Sequence, residues 1–539
     1  MKPSAQNLPC SFIGAARLFI TATRARAARL AMIMLVTLGA TLAALTLALP
    51  EARAEEYAIG PGRRYNDPSE VTRKLKPGDV VTIDGDATYA GDLVFRTSGT
   101  PEAKITVIGR RVNGKRPVIS GGRNTVEFRG SHYLFYGFEI TGGASRCLYH
   151  HAHDITVIDT AVHDCPQQGI LGADSDSGSL TLEYVEVYGS GEGTRHHQLY
   201  IATDEAAHHG SVFRMRHSFI HDGRGGNNVK SRAERNELAY NWIEGALYHE
   251  IELIGPDGQD PKLAREDSDV VGNVIWKTRP GFAIRVGGDG TGDTDGRYRF
   301  VNNTVIVSPE TKAVFRIMDG IESLEVHNNV FQRRGGGGLE LVHEDGSRWA
   351  EGRPLIAGTN NWLPEGSTNV PEAFQNTLYG KDPGFAGERD LRPGDGSPLL
   401  GKGARDLPSP PGCPFPAPLL RVEGSPPAGR ADAIYAVAAR RAWDDGHAIA
   451  IGAFEQGAFT PGAPPDPSAP PEPGAPGEGG AKPQTPPAPH TRAPHGVEVE
   501  GGCGCRSALA QRGAVPRQLA FALSAAILFP LRRRTRRPR

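Results

Sequence analysis

The chain has 539 residues and is rich in glycine (68) and proline (43). Its net charge of −1 hides an asymmetry: residues 1–54 carry +5 and residues 503–539 carry +9, which leaves −15 on the chain between them. So acidic a body argues against general nucleic-acid binding, and it allows an acidic ligand only where positive charge is gathered in one cleft.

Residues 30–49 form an apolar run behind Arg17, Arg24, Arg26 and Arg29 and end in Ala52-Arg53-Ala54. A basic leader, an apolar stretch and a small-x-small site predict a cleaved secretory signal over 1–54, with a retained anchor as the alternative. Lys76-Pro77-Gly78-Asp79 then opens a folded part predicted over 55–457, made of short strands separated by turn residues. An aliphatic or aromatic residue recurs at Ile140, Val162, Val187, Ile220, Ile243, Ile275, Val305, Phe331 and Leu363. Asparagine stands two places before the later ones, at Asn241, Asn273, Asn303, Asn329 and Asn361. A coil of a little over twenty residues with variable insertions cannot bury its own apolar side chains, so stacked coils must share a core. The predicted fold is all-β, a single right-handed parallel β-helix, with the asparagines laddered in one turn. Cys147 and Cys165 lie about one coil apart but in different predicted columns, which leaves their disulfide open.

Three segments inside this repeat alternate apolar and polar residues: Gln198-Leu199-Tyr200-Ile201, Asn228-Val229-Lys230-Ser231 and Glu250-Ile251-Glu252-Leu253. With Leu199, Val229 and Ile251 inward, the alternation predicts one outward patch of Gln198, Tyr200, Asn228, Lys230, Glu250 and Glu252, on rungs about 4.8 Å apart. Arg285 and Arg316 continue the column, and His196, His197 and His249 flank it. Long loops at 202–211, 255–268 and 287–297 surround a short turn at Arg232-Ala233-Glu234-Arg235, predicting a groove floored by Lys230 and Arg232. The pairs His150/His151 and His208/His209 read as exposed loop residues, and the Asp-rich loops near Asp174 and Asp289 as ordinary turns.

Residues 458–501 are rich in proline, alanine and glycine, an extended spacer. Residues 502–539 hold Cys503-Gly504-Cys505, an apolar run at 519–531 and a closing arginine cluster. This tail resembles the myxobacterial C-terminal sorting signals. The resemblance implies an exported protein held at the cell surface or outer membrane, or released from it; a plain tail anchor implies a membrane tether as well.

The opening coils, with Pro77-Gly78-Asp79, Ile105-Thr106-Val107-Ile108, Pro117-Val118-Ile119-Ser120-Gly121 and Tyr133-Leu134-Phe135-Tyr136-Gly137-Phe138, lead to Asn228-Val229-Lys230-Ser231. Together these resemble chondroitinase-B-like and alginate-lyase-like polysaccharide lyases of the pectin-lyase-like superfamily. The resemblance implies β-elimination on a uronic-acid polymer, with Lys230 as base and an arginine on the next coil as acid. That next coil carries Glu250-Ile251-Glu252 instead, and the nearest outward arginine is Arg285. The candidate catalytic residues are therefore Lys230, Tyr200, Arg232, Arg285 and His197. Candidate ligand contacts are Gln198, Asn228, Glu250, Glu252, His249 and Arg316. A calcium ion on Glu250, Glu252 and Asn228 is a further way to neutralise the developing enolate. The expected partner is an extracellular polysaccharide bound by a monomer. The competing readings are a non-catalytic surface carbohydrate-binding or structural β-helix, a glycoside hydrolase using Glu250 and Glu252, and a uronan epimerase.

Overall fold

Each coil of the chain contributes one strand to each of three sheets, and every pairing between named strands is parallel. The computed structural model describes residues 54–467 except 256–265, 290–293, 346–348, 351, 440 and 442–445. The expected leader up to residue 53, the spacer beyond residue 467 and the C-terminal tail lie outside the described residues. The first sheet has 13 strands, the second 12 and the third 10. The only helices among the described residues are the short 3-10 turns Pro68–Glu70 and Ala431–Ala433. The chain runs from Val212–Arg216 in the first sheet through Phe219–His221 in the second to Val229–Arg232 in the third, then returns to the first with Arg235–Ala239. Repeated coil on coil, this path is the right-handed parallel β-helix expected from the repeat.

The recurring aliphatic residues form one interior column. Ile140 pairs with Val162, Val162 with Val187, Val187 with Ile220, and the series continues through Ile243, Ile275, Val305 and Phe331. Each is buried in the shared core. No coil closes this core alone, because every apolar side chain packs against the rungs above and below.

Two corners satisfy their backbone groups by stacking polar side chains. At the first, Asn241 donates to Asn273, Asn273 to Asn303, Asn303 to Asn329 and Asn329 to Asn361, at 2.9–3.2 Å. Each amide also donates to a main-chain carbonyl, such as that of Met215 or Leu238. The residue before each asparagine turns the chain with positive φ: Tyr240 (59°), Gly272 (67°), Asn302 (52°), Asn328 (55°) and Asn360 (52°). Glycine and asparagine suit that left-handed position best.

The second corner joins the second sheet to the third, and here the structure corrects the sequence. Gln198, Asn228 and Glu250, expected on the outer face, are fully buried. The strands begin one residue later, at Leu199, Val229 and Ile251, so these three belong to the turn and escape the strand alternation. Gln198 Nε2 donates to Asn228 Oδ1 at 3.0 Å, and Asn228 Nδ2 donates to Glu250 Oε2 at 2.7 Å. The carbonyls of Val187, His221 and Glu244 take their remaining donors. Lys277, with no solvent exposure, ends the series 3.8 Å from Glu250 Oε1 and donates to the Ala246 carbonyl at 3.1 Å.

Cys147 holds the corresponding place in an earlier coil, one residue before a paired aliphatic residue (Leu148), as Gln198 and Asn228 stand before Leu199 and Val229. Cys147 and Cys165 form a disulfide with their α-carbons 5.6 Å apart. The corner, rather than a common column, brings them together. His150, expected in an exposed loop, is buried with its Nδ1 3.2 Å from the Ala152 carbonyl, and burial pushes its pKa down to about 4.

Among the described residues the last strand ends at Gly380. Described segments that follow it pack against the outside of the helix. Leu420 and Val422 cover Val271 and Val301 of the first sheet, and Ile434 and Phe454 cover Trp242 and Trp276 of the second. The third sheet takes no part in these two covering clusters.

Candidate functional site

The outward column of the third sheet forms as the alternation predicts. Tyr200 pairs with Lys230, Lys230 with Glu252, Glu252 with Arg285, Arg285 with Arg316 and Arg316 with His343. Inward neighbours Leu199, Val229 and Ile251 fix this facing, since a slip of one residue would drive the charged set into the core.

Lys230 occupies the centre, its side chain 15% exposed. Its Nζ lies 5.0 Å from the centroid of the Tyr200 ring and 3.9 Å from Glu252 Oε2. Burial lowers the pKa of this amine; Glu252 opposes that shift, and the positive charges of Arg232 and Arg285 reinforce it. The Glu252 carboxylate is also engaged by Arg285 Nη1 and by the Asn227 amide.

His197 stands beside Tyr200, ring centroids 5.7 Å apart and edge to face. Its Nδ1 accepts the Asn227 backbone N–H at 2.9 Å. Burial, aided by the charge of Lys230, pushes its pKa down to about 3, so the ring is neutral with its proton on Nε2.

Asn227 was not singled out in the sequence. It nonetheless ties the group together: its amide reaches Glu252, its Oδ1 accepts the His249 N–H at 2.9 Å, and its own N–H holds His197. The doubled asparagine Asn227-Asn228 was the available signal, one facing the wall and the other the corner.

The remaining candidates separate by burial. Arg232 is 2% exposed, held by the Gly255 carbonyl at 2.8 Å and Asp289 at 2.7 Å, which commits it to anchoring loops. Arg285 is 8% exposed and pairs with Glu252. His249 has no exposure and lies behind Tyr248, ring centroids 4.0 Å apart; burial pushes its pKa down to about 3. Arg316 is accessible, bonded to Asp345 Oδ2 at 3.1 Å and the Tyr248 hydroxyl at 3.3 Å, and stacked 5.1 Å over Phe282. Tyr248, Phe282 and Lys312 thus add an aromatic and cationic shelf that the sequence did not reveal.

The expected calcium ligands do not converge. Asn228 and Glu250 bond each other inside the corner, and Glu252 bonds Arg285 and Asn227 on the wall. No group of acidic, histidine or cysteine side chains among the described residues is arranged to hold a metal. The same separation removes Glu250 and Glu252 as an acid/base pair for hydrolysis, because they do not face a common ligand. Of the three loops expected to wall the groove, the second and third include residues outside those described.

The sequence matches no protein-family model, and no curated protein matches it significantly. Among solved structures, the chain is similar to pectate lyase Pel9A, with a TM-score of 0.46 and 13% identity over 75% of this chain and 97% of that one. An alginate lyase from Paenibacillus sp. str. FPU-7 gives 0.33 and 14% over 58% and 96%. The PL6 family alginate lyase AlyGC gives 0.36 and 11% over 62% and 55%. With three long parallel sheets and one strand per sheet in each coil, the chain has the architecture of a right-handed parallel β-helix.

Proposed function

We propose that the chain is a polysaccharide lyase that cleaves a uronic-acid-containing polymer by β-elimination on the third-sheet wall. One observation carries this reading: a partly desolvated lysine amine, Lys230, lies against a tyrosine ring and beside a neutral histidine on an outer wall. Lowering the pKa of an amine enlarges the share of it that is neutral and able to take a proton. Lys230 Nζ takes the proton on the carbon bearing the carboxylate. The electron pair forms a carbon–carbon double bond, and the neighbouring glycosidic carbon–oxygen bond breaks. The Tyr200 hydroxyl protonates the departing oxygen, and the Lys230 ammonium then passes its proton, through solvent, to the tyrosinate, which restores both groups. His197 Nε2–H donates to the substrate carboxylate as charge builds on it, which is where a fixed donor helps most. Arg285 and Arg232 contribute positive field without leaving their own partners.

The test is to incubate the full chain with polygalacturonate, alginate and chondroitin and follow the ultraviolet absorbance of an unsaturated sugar. Product is expected from one of the three and is lost in Lys230→Ala. Binding without product on all three overturns the lyase reading in favour of a carbohydrate-binding β-helix. Export and attachment to the cell surface rest on the sequence alone, on the basic–apolar leader and the Cys503-Gly504-Cys505 tail. Cell fractionation with and without residues 502–539 tests them.

A further inference from the structure

The wall does not end at Tyr200. Its outward column continues to Leu171, Tyr149 and Glu127, and at the start of the same strands Arg146 pairs with Gln168. Three rungs from Lys230 to Tyr149 span about 14 Å. At that end lies a second cleft, about 450 Å³, lined by Arg123, Arg146, Tyr149 and His151 among others.

Its acids are already occupied. Glu127 is bonded by Arg129 at 2.5 Å and by the Asn124 amide at 3.3 Å, and Asp92 accepts the Arg123 backbone N–H at 2.7 Å. The Arg146 guanidinium lies 4.7 Å over the Tyr149 ring and pairs with no carboxylate among the described residues; its Nε is buried without a hydrogen-bond partner. One rung on towards Lys230, Gln168 is 7% exposed and its Oε1 is also buried without a partner. A buried donor and a buried acceptor left unmade on adjacent rungs cost free energy that a ligand with both groups recovers.

From these groups we infer that this cleft is a second carbohydrate subsite, in which Arg146 takes the carboxylate of a uronic-acid unit and Gln168 accepts a sugar hydroxyl. It rests on the reading of the wall as a uronan groove, and it adds that the bound chain runs along the helix axis, from Lys230 towards the N-terminal coils. Guanidinium binds carboxylate through two parallel bonds, and a ring behind it fixes its plane.

Calorimetric titration of the full chain, in a Lys230→Ala background to prevent turnover, tests this with hexasaccharides of polygalacturonate, alginate and chondroitin and with their carboxyl-reduced forms. Arg146→Gln is expected to weaken the acidic hexasaccharide that binds by about tenfold to a hundredfold, one charge-assisted bond. It leaves the reduced form unaffected, and Arg146→Lys recovers part of the loss. Circular dichroism confirms that the variants fold; should Arg146→Gln not fold, Gln168→Ala, expected to weaken binding severalfold, decides. Unchanged affinity in the deciding variant, or no binding of any acidic hexasaccharide, overturns the proposal. Binding that depends on Arg146 without unsaturated product from the unmutated chain rejects the lyase and keeps the subsite. Product formation with affinity indifferent to Arg146 does the reverse.

Discussion

Two lysines next to the strand Ile251–Leu253 show how one scaffold separates structure from chemistry. Lys277 sits beside Glu250 and Lys230 beside Glu252, two residues further along the same chain segment. Burial lowers the pKa of both amines, and in both cases the glutamate opposes it. Lys277 and Glu250 have no solvent exposure and close a ladder of corner amides; burial raises the Glu250 carboxyl to about 7. Lys230 keeps one side open, and its glutamate is shared with Arg285 and Asn227. The same residue pair is therefore a fastening inside the corner and, in the proposed reaction, the base and its neighbour on the wall. What differs is which neighbours enclose it.

Substitutions break this comparison at each end. Lys230→Ala has the largest expected effect, a loss of about 10²- to 10⁴-fold in the rate of unsaturated-sugar release, the usual contribution of a general base. Its thermal melting should barely move. Lys277→Met should do the opposite: about 3–5 kcal/mol of stability lost in urea denaturation, because Glu250 is left buried without its cation. Uronan cleavage by the folded fraction stays intact.

Proton linkage sharpens the contrast. In Lys277→Met the raised Glu250 carboxyl must stay protonated, so stability falls as pH rises from its unfolded value through its folded one. The destabilisation is accordingly smaller at pH 5 than at pH 8. For the wall the sign is reversed, since the proposed base Lys230 takes a proton only when neutral. The cleavage rate should rise with pH to a plateau, with a midpoint below that of an ordinary lysine amine, in a pH–rate profile. Smallest is Asn303→Ala in the first-corner ladder, expected to cost about 1–3 kcal/mol by leaving the Asn273 amide and the Val270 carbonyl unmet. Urea midpoints check it, with cleavage unchanged.

Most of the architecture is legible in the residues. The inward aliphatics at Val187, Ile220 and Ile243 and the asparagines from Asn241 to Asn361 recur because every coil must meet its neighbour with the same two groups. The outward order Tyr200, Lys230, Glu252, Arg285, Arg316 follows from that register. The alternation failed at Gln198, Asn228 and Glu250 because a corner begins there, and sequence alternation does not mark where extended backbone starts. It also failed to separate Arg232 from Lys230: both point outward, but loops carrying Gly255 and Asp289 close over the arginine.

By itself, then, the sequence determined the stacking, the interior columns and the rung on which each polar residue lies, since a slip of one residue would bury charge along a whole wall. Only the tertiary structure decided which outward residues keep solvent. That depends on segments distant in sequence: the stretch around Leu420 laid over the first sheet, Ile434 and Phe454 over the second, and Asn227 gathering His197, His249 and Glu252 into one group. Exposure and charge pairing are properties of what packs against a side chain, and local pattern carries no record of it.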